Sequence, residues 1–328
     1  MQMGMRHLIK RFLQDATVSM VLRTLTTPIV RLCDIVSREA RRKIAINGAS
    51  VVVGDLRLNF PKDVGVLYSS SLYWQESAAL RHDIWWVLRP LVQTSVRFAD
   101  VGSYIGLFAV LVKKTNPACD VWAFEPVPSI AEKNRRFQAA NRVSLTLYEV
   151  ALSDRNGTAT LYLPKASGAD EESTGTIRPD SWQASRAGSG QAKLIEVKTN
   201  RLDELCEGAD WWPDLVKIDV EDHEGSVLRG MGKIMQRDQR PYIICEVVPR
   251  DHGNAETLAW VKENDYALYA ITPSGLFRAA GFPKARTFTD YLLAPLRDGP
   301  EYLSPLELDP WIASVRGRED PRLADGPC

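Results

Sequence analysis

No apolar run in this chain is long enough to cross a membrane as a helix, which takes roughly 20 residues. No charge of one sign prevails either. The chain has 41 basic and 41 acidic side chains among 328 residues, which leaves no overall electrostatic case for a nucleic-acid partner. Metal-binding cysteine motifs are missing too. Cys33, Cys119, Cys206, Cys245 and Cys328 are odd in number and widely spaced, with no Cys-x-x-Cys and no Cys/His ligand spacing. That pattern excludes a structural zinc site and points to five unpaired thiols in a reducing, cytoplasmic compartment. The basic N-terminus lacks a compact apolar stretch followed by small residues, so a secretory leader is not expected. The length suits one large α/β domain with additions.

The most informative stretch is residues 98–125, FADVGSYIGLFAVLVKKTNPACDVWAFE. An apolar run ends on Asp100. A turn with Gly102 and Gly106 follows, then a helical segment, then a second apolar run ending on Glu125. Strand, tight turn, helix and strand put both acids and the turn at one edge of a parallel pair, where open α/β sheets bind ligands. Gly102 permits a sharp reversal and close approach to the backbone. The turn of Gly102, Ser103, Tyr104, Ile105 and Gly106 can offer N–H groups to a carboxylate at a helix N-terminus. Glu125, followed by Pro126, can accept from a ribose diol, and Asp100 can face an amine or cation. S-adenosylmethionine carries all of these groups. The glycines alone are also what any tight βα turn needs. A nicotinamide cofactor is the rival, but its G-x-G-x-x-G spacing is absent.

Upstream, residues 1–46 read as a basic amphipathic helical extension, with Met5, Leu8, Ile9, Phe12 and Leu13 at helical spacing. It suits either an anionic membrane surface or packing on the main domain or a second subunit of a homo-oligomer. Residues 47–97 read as a hairpin and then a helix, carrying Trp74, Trp85 and Trp86, over the cofactor edge. Downstream, residues 129–141 form a second crossover helix and 145–150 a third strand. Ala151 falls where an adenine would lie. Residues 158–163 read as a strand, 165–193 as a long lid or mobile loop, and 197–205 as the start of a helix. Segments 267–272 and 291–294 read as a hairpin at one edge of the sheet, and 297–328 as a loose tail.

The sequence DLVKIDV, residues 214–220, is apolar enough for a buried central strand. Alternation places Leu215, Lys217 and Asp219 on one face. A lysine there needs partners, and Asp219 and Glu246, the latter ending the next strand, are the candidates. Asp219 is the candidate proton acceptor, assisted by Lys217 and Glu246. His223, with a pKa suited to neutral pH, is the lesser candidate. Asp219, Glu246 and His223 could also ligate a divalent ion, but no ligand motif supports that, and no metal is expected.

Several segments together resemble the FkbM-type S-adenosylmethionine-dependent methyltransferases: FADVGSYIGLFA, AFEPVPS, ALSDRNG, NRLDEL, LVKIDVEDHEGSVLRG, IICEV and TDYLLAP. The resemblance spans roughly residues 47–295 in order. It implies a class I methyltransferase fold, an α/β Rossmann-like sheet of seven mostly parallel strands with one antiparallel strand, over residues 98–296. It implies that Asp100, Gly102, Gly106 and Glu125 carry the cofactor. It also implies methyl transfer to a hydroxyl of a small-molecule or glycan acceptor, a saccharide or polyketide-like metabolite. A nicotinamide-dependent oxidoreductase and a non-catalytic cofactor-binding module are the alternatives. One departure stands out: the family's Asp-Val-Glu-Gly is here Asp219-Val220-Glu221-Asp222. If the N-terminal extension binds membranes, the intact chain floats with anionic vesicles and a chain beginning near Asn47 does not. Equal flotation of the two supports the packed extension instead.

Overall fold

The computed structural model describes residues 48–65, 68–69, 72, 84–164, 175–179, 192–247, 253–272, 275–282 and 290–296. The expected N-terminal helix, Trp74, most of the long loop and the tail lie outside them.

A hairpin of β1 (Ser50–Val53) and β2 (Leu56–Asn59) comes first, as expected, and α1 (Trp85–Thr94) follows. The core of the fold then alternates strand and helix: β3 (Arg97–Val101), α2 (Leu107–Thr115), β4 (Asp120–Phe124), α3 (Pro128–Asn141) and β5 (Thr146–Tyr148). Next come β6 (Ala151–Leu152), β7 (Gly157–Pro164) and β8 (Ala192–Asn200). After them lie α4 (Leu202–Ala209), β9 (Leu215–Ile218), α5 (Glu224–Arg229), α6 (Gly232–Met235) and β10 (Tyr242–Glu246). The last elements are α7 (Gly253–Glu263), β11 (Tyr266–Thr272), β12 (Gly275–Ala279) and β13 (Asp290–Pro295).

The central sheet has the order β12-β11-β13-β10-β9-β3-β4-β5. Strands β5, β4, β3, β9 and β10 are parallel. Strand β13 runs against both β10 and β11, and β12 runs against β11. This is the mostly parallel sheet that the resemblance implies, with one strand more than expected. The extra strand is β12: the chain reverses after Thr272, which pairs with Gly275, and returns along the edge. The pairing expected between 267–272 and 291–294 is present. It lies inside the sheet rather than at its edge, because β13 inserts between β10 and β11.

The helix expected from Val197 is instead strand β8, laddered to β7 from Gly157↔Thr199 to Pro164↔Ala192. Its period is two, with Val197 and Thr199 buried and Glu196 and Lys198 exposed. Helix α4 begins only at Leu202. Strands β6, β8 and β7 make a small separate sheet beside the end of β5.

Two apolar layers sandwich the central sheet. On one face α1, α2 and the hairpin pack around Phe98, Leu215 and Ile244, with Trp85 in this core. Helix α2 is buried along its first six residues, Leu107 to Val112, since hairpin, α1 and sheet surround it. On the other face Leu202, Cys206, Leu228 and Trp260 cover Ala99, Val216 and Ile243. Trp211 stacks on Trp122 at 4.1 Å and donates its indole N–H to Asp120 at 2.8 Å.

Strands β3 and β9 are tied at their lower ends as well as by their ladder. Asp214 Oδ2 accepts from the N–H groups of Val96 and Arg97 at 2.9 and 2.8 Å. Truncating a charged acceptor leaves such donors unpaired. Asp214→Ala is expected to lower unfolding free energy by about 1–3 kcal/mol in denaturant titration. Asp214→Asn keeps an acceptor and should lose less.

Candidate active site

The turn after β3 is built by contacts that only glycine allows. Gly102 has φ +71, and a Cβ there would fall 1.8 Å from the carbonyl oxygen of Asp219. Asp219 N in turn donates to Val101 O at 3.1 Å. The two loops that follow β3 and β9 are thus in backbone contact. Gly106, φ +81, lies against Asn134, whose Oδ1 would be 2.5 Å from a Cβ. Asn134 is fully buried and donates to Ser103 Oγ and to Tyr104 O. Its role was not read from the sequence. The signal was there: Asn134 sits four residues after Ile130 and three before Phe137, on the buried face of α3, where a polar residue needs a partner.

The turn's N–H groups are largely spent inside the protein. Gly102 and Ser103 both donate to Phe124 O at 3.1 and 2.9 Å, and Tyr104 donates to Glu125 Oε2 at 3.0 Å. The N–H groups of Leu107 and Phe108 open α2 and have no partner within the helix, so they are the ones available to a ligand carboxylate. Glu125 is 5% exposed and bridges the two turns, its Oε1 accepting from Val127 N at 2.9 Å. Glu125 also lines the cavity along this edge of the sheet, and a carboxylate oxygen can accept more than one hydrogen bond.

One cavity runs along this edge. Of the expected cofactor residues, Gly102, Ser103, Tyr104, Ile105, Glu125, Pro126, Ala151 and Asp219 line it. Asp100 and Gly106 do not. Asp100 is fully buried, accepts from Ala109 N at 3.1 Å with Oδ2, and turns Oδ1 to Lys217 at 3.8 Å. The cation it faces is therefore the protein's own, and its job is to hold α2 and Lys217. Burial raises the Asp100 pKa, against the lowering by Lys217 and the Ala109 N–H.

Glu125 lines this cavity between two chemically different groups of residues. One end is apolar, lined by Val127, Ile130, Ala151, Leu161, Leu163 and Ile177. The other end is charged. There Lys217 Nζ lies 3.0 Å from Asp219 Oδ2 and 5.1 Å from the Phe108 ring centroid. Burial disfavours the Lys217 charge, but Asp219 and Asp100 outweigh it and raise the pKa above the usual lysine range. Burial would also raise Asp219. Lys217, together with hydrogen bonds from Glu246 and Lys217, reverses that and keeps Asp219 ionised. The Asp219 side chain is 36% exposed, because it faces the cavity. Glu246 goes the other way: burial, then the charge of Asp219, lifts its pKa well above the carboxylate range. The site thus holds an ammonium, a carboxylate and a neutral carboxylic acid, separated by their environments.

His223 departs from expectation. Burial pushes its pKa down to about 4, so it is neutral rather than poised at neutral pH. The turn before it is strained, with φ +55 at Glu221 and +73 at Asp222. Asp222 therefore adopts the conformation that the family glycine would allow, which Asp tolerates. Thr176 Oγ1 holds this turn by donating to Glu221 O at 2.7 Å. Glu224 Oε1 accepts from the N–H groups of Val220 and Asp222, both at 3.2 Å. Among the described residues no cluster of His, Cys, Asp and Glu has a metal-binding arrangement.

Residues 100–268, just over half of the chain, match the methyltransferase FkbM domain family. This chain is an FkbM methyltransferase-family protein. Methyltransferase sdnD of Sordaria araneosa is 28% identical over 154 residues, 40% of this chain and 59% of that protein. The 2-O-methyltransferase NoeI of Sinorhizobium fredii (strain NBRC 101917 / NGR234) is 30% identical over 135 residues, 40% of this chain and 55% of that protein. The match thus spans less than two thirds of either relative. Among solved structures, a ribosomal protein L11 methylase from Lactobacillus delbrueckii subsp. bulgaricus aligns with 10% identity and a TM-score of 0.36. That alignment covers 65% of this chain and 77% of the methylase. The cofactor of the FkbM domain is S-adenosylmethionine, and the cavity fits it. Glu125 suits the ribose, the apolar end a purine, and the start of α2 a carboxylate.

Glu224 gives the FkbM domain a measurable pH signature. Burial pushes its pKa up to about 8 from 4.5. An acid with a raised folded pKa stabilises fully below its unfolded value and loses that contribution as pH rises through the folded one. The share of stability due to Glu224 should therefore fall between pH 6.5 and 8, by at most about 1.4 kcal/mol per pH unit, in addition to the fall that Glu246 contributes over the same range. His223, whose folded pKa is lowered, acts only below 6.5. Glu224→Gln keeps the accepting oxygen without the charge, and its thermal stability should fall less steeply than that of the unsubstituted protein over that range, the remaining slope coming from Glu246.

Proposed function

We propose that this protein transfers the methyl group of S-adenosylmethionine to a hydroxyl oxygen of a saccharide or polyketide-like metabolite. The observation that carries the reading is Asp219, an ionised carboxylate at the end of β9, open to the cavity and gripped by a buried lysine. When bound, the cofactor supplies an electrophilic methyl carbon. Asp219 accepts the hydrogen bond of the acceptor hydroxyl, turns its oxygen toward that carbon and takes the proton as the bond forms. Lys217 fixes the carboxylate in one rotamer and keeps it charged. Glu246, as the neutral acid, donates to Asp219 and limits its freedom further. Much of the acceleration then comes from alignment of the acceptor oxygen. The name of the 2-O-methyltransferase relative supports oxygen as the acceptor atom.

The reading extends to the setting of the enzyme. Cys119, Cys206 and Cys245 are buried free thiols, and among the described residues no helix is long and apolar enough to cross a membrane. Both fit a cytoplasmic enzyme whose N-terminal extension supplies any contact with a membrane or a second subunit.

S-adenosylhomocysteine should raise the melting temperature, and NAD should not, because only a ligand of the native state stabilises it. Asp219→Asn is nearly isosteric and uncharged. It should cut turnover about 10²–10⁴-fold while S-adenosylhomocysteine affinity by calorimetry changes little. Near-complete turnover in Asp219→Asn, with turnover lost in His223→Ala, would reverse the assignment of the base.

A further inference from the structure

One polar residue of the cavity lining is held by a chain of hydrogen bonds outside it. His223 lines the cavity. Its Nε2 lies 3.0 Å from Ser153 Oγ, a buried hydroxyl. Ser153 Oγ donates to Asp154 Oδ1 at 3.2 Å. Arg229 donates to Asp154 Oδ2 from Nε and Nη2, at 3.4 and 3.3 Å, and to Glu256 at 3.0 Å.

A serine hydroxyl carries one hydrogen. With that hydrogen directed to Asp154, the contact between Ser153 and His223 must be made by the imidazole's own proton. Nε2 therefore holds the ring N–H, and Nδ1 is left as an acceptor. Burial keeps the ring neutral, with Arg178 and Arg229 adding to the effect and Asp154 and Glu256 opposing it. One nitrogen of a cavity-lining ring is thus spent and the other is a fixed acceptor. An imidazole tied in this way suits recognition better than proton transfer.

The cavity's layout says what it recognises. Glu125 marks the ribose. The slot formed by Val127, Ile130, Ala151, Leu161 and Leu163 offers apolar contact to the two faces of a flat ring. The start of α2 suits the carboxylate of the methionine portion, and Asp219 is left for the acceptor. His223 lines the same cavity as these apolar residues.

We propose that His223 reads the nucleobase of the cofactor: Nδ1 accepts a hydrogen bond from the amino group of adenine. Ser153, Asp154 and Arg229 are positioning residues that hold the imidazole in the accepting tautomer. The assignment rests on the S-adenosylmethionine reading of the cavity and goes beyond it. Hypoxanthine replaces the amino donor with an oxo acceptor, which would oppose the Nδ1 lone pair. A site built to pair with a donor rejects an analogue that lacks it.

The test is calorimetric titration of the full chain at neutral pH with S-adenosylhomocysteine and S-inosylhomocysteine. The unsubstituted protein should bind the adenosyl compound about tenfold tighter or more, the value of one good hydrogen bond. His223→Ala should bring the ratio near one, by weakening the adenosyl compound and relieving the repulsion of the inosyl one. Ser153→Ala keeps the ring but frees its tautomer, and should lower the ratio without abolishing binding, an effect that simple structural damage would not give. Equal binding of both compounds by the unsubstituted protein overturns the nucleobase assignment and leaves the cofactor reading intact. An unchanged ratio in His223→Ala overturns it as well. Should that variant fail to fold, an unchanged ratio in Ser153→Ala does the same. Binding of neither compound by the unsubstituted protein overturns the cofactor reading itself.

Discussion

A single buried ammonium organises this site. Lys217 stands in the middle of the central sheet, fully enclosed, with Asp100 on one side and Asp219 on the other. Such a charge is tolerable only while its partners stay in place, and removing one partner of a buried pair typically costs about 3–5 kcal/mol. Asp100 is held by the N–H of Ala109 at the start of α2. Asp219 is held by the backbone of Val101 and by the wall that Gly102 leaves open. Strand β3, the glycine turn, helix α2 and the end of β9 therefore constrain one another through one side chain.

This arrangement separates two tasks that the sequence places close together. The acid in β3 is enclosed and holds α2 and Lys217, and the acid just past β9 lines the cavity. The difference comes from surroundings rather than residue type. Asp100 is shut in by α2, whereas Asp219 lies one position beyond the last paired residue of its strand, where the sheet opens. Glu246 ends the next strand, and burial, followed by the charge of Asp219, leaves it neutral.

Much of this was legible beforehand because it is local. The glycine turn, the acids at strand ends and the alternation that pairs Lys217 with Asp219 all follow from short-range spacing. Burial was not legible, and burial is what turned His223 from a candidate base into a neutral acceptor. Contacts across the chain were also hidden. Asn134 reaches back to the turn from another helix, and Ser153 meets His223 over 70 positions. Strand β8 was taken for a helix because the sequence after Val197 runs into a true helix with only Arg201 between them. Its strand character depends on β7, which lies beyond a long intervening segment.

The order of the strands has a consequence for how the protein comes into being. β3 pairs with β4, its neighbour in sequence, but its other partner is β9, and the bond from Arg97 to Asp214 spans 117 positions. Closing so long a loop is entropically expensive and slow. During synthesis the ribosome releases β3, the glycine turn and β4 well before Lys217 exists. Until β9 arrives, Asp100 has no cation beside it and Gly102 has no carbonyl to rest against. The charged end of the cavity is therefore among the last features to form, and a chain interrupted before residue 217 can display the signature turn without the charged residues behind it.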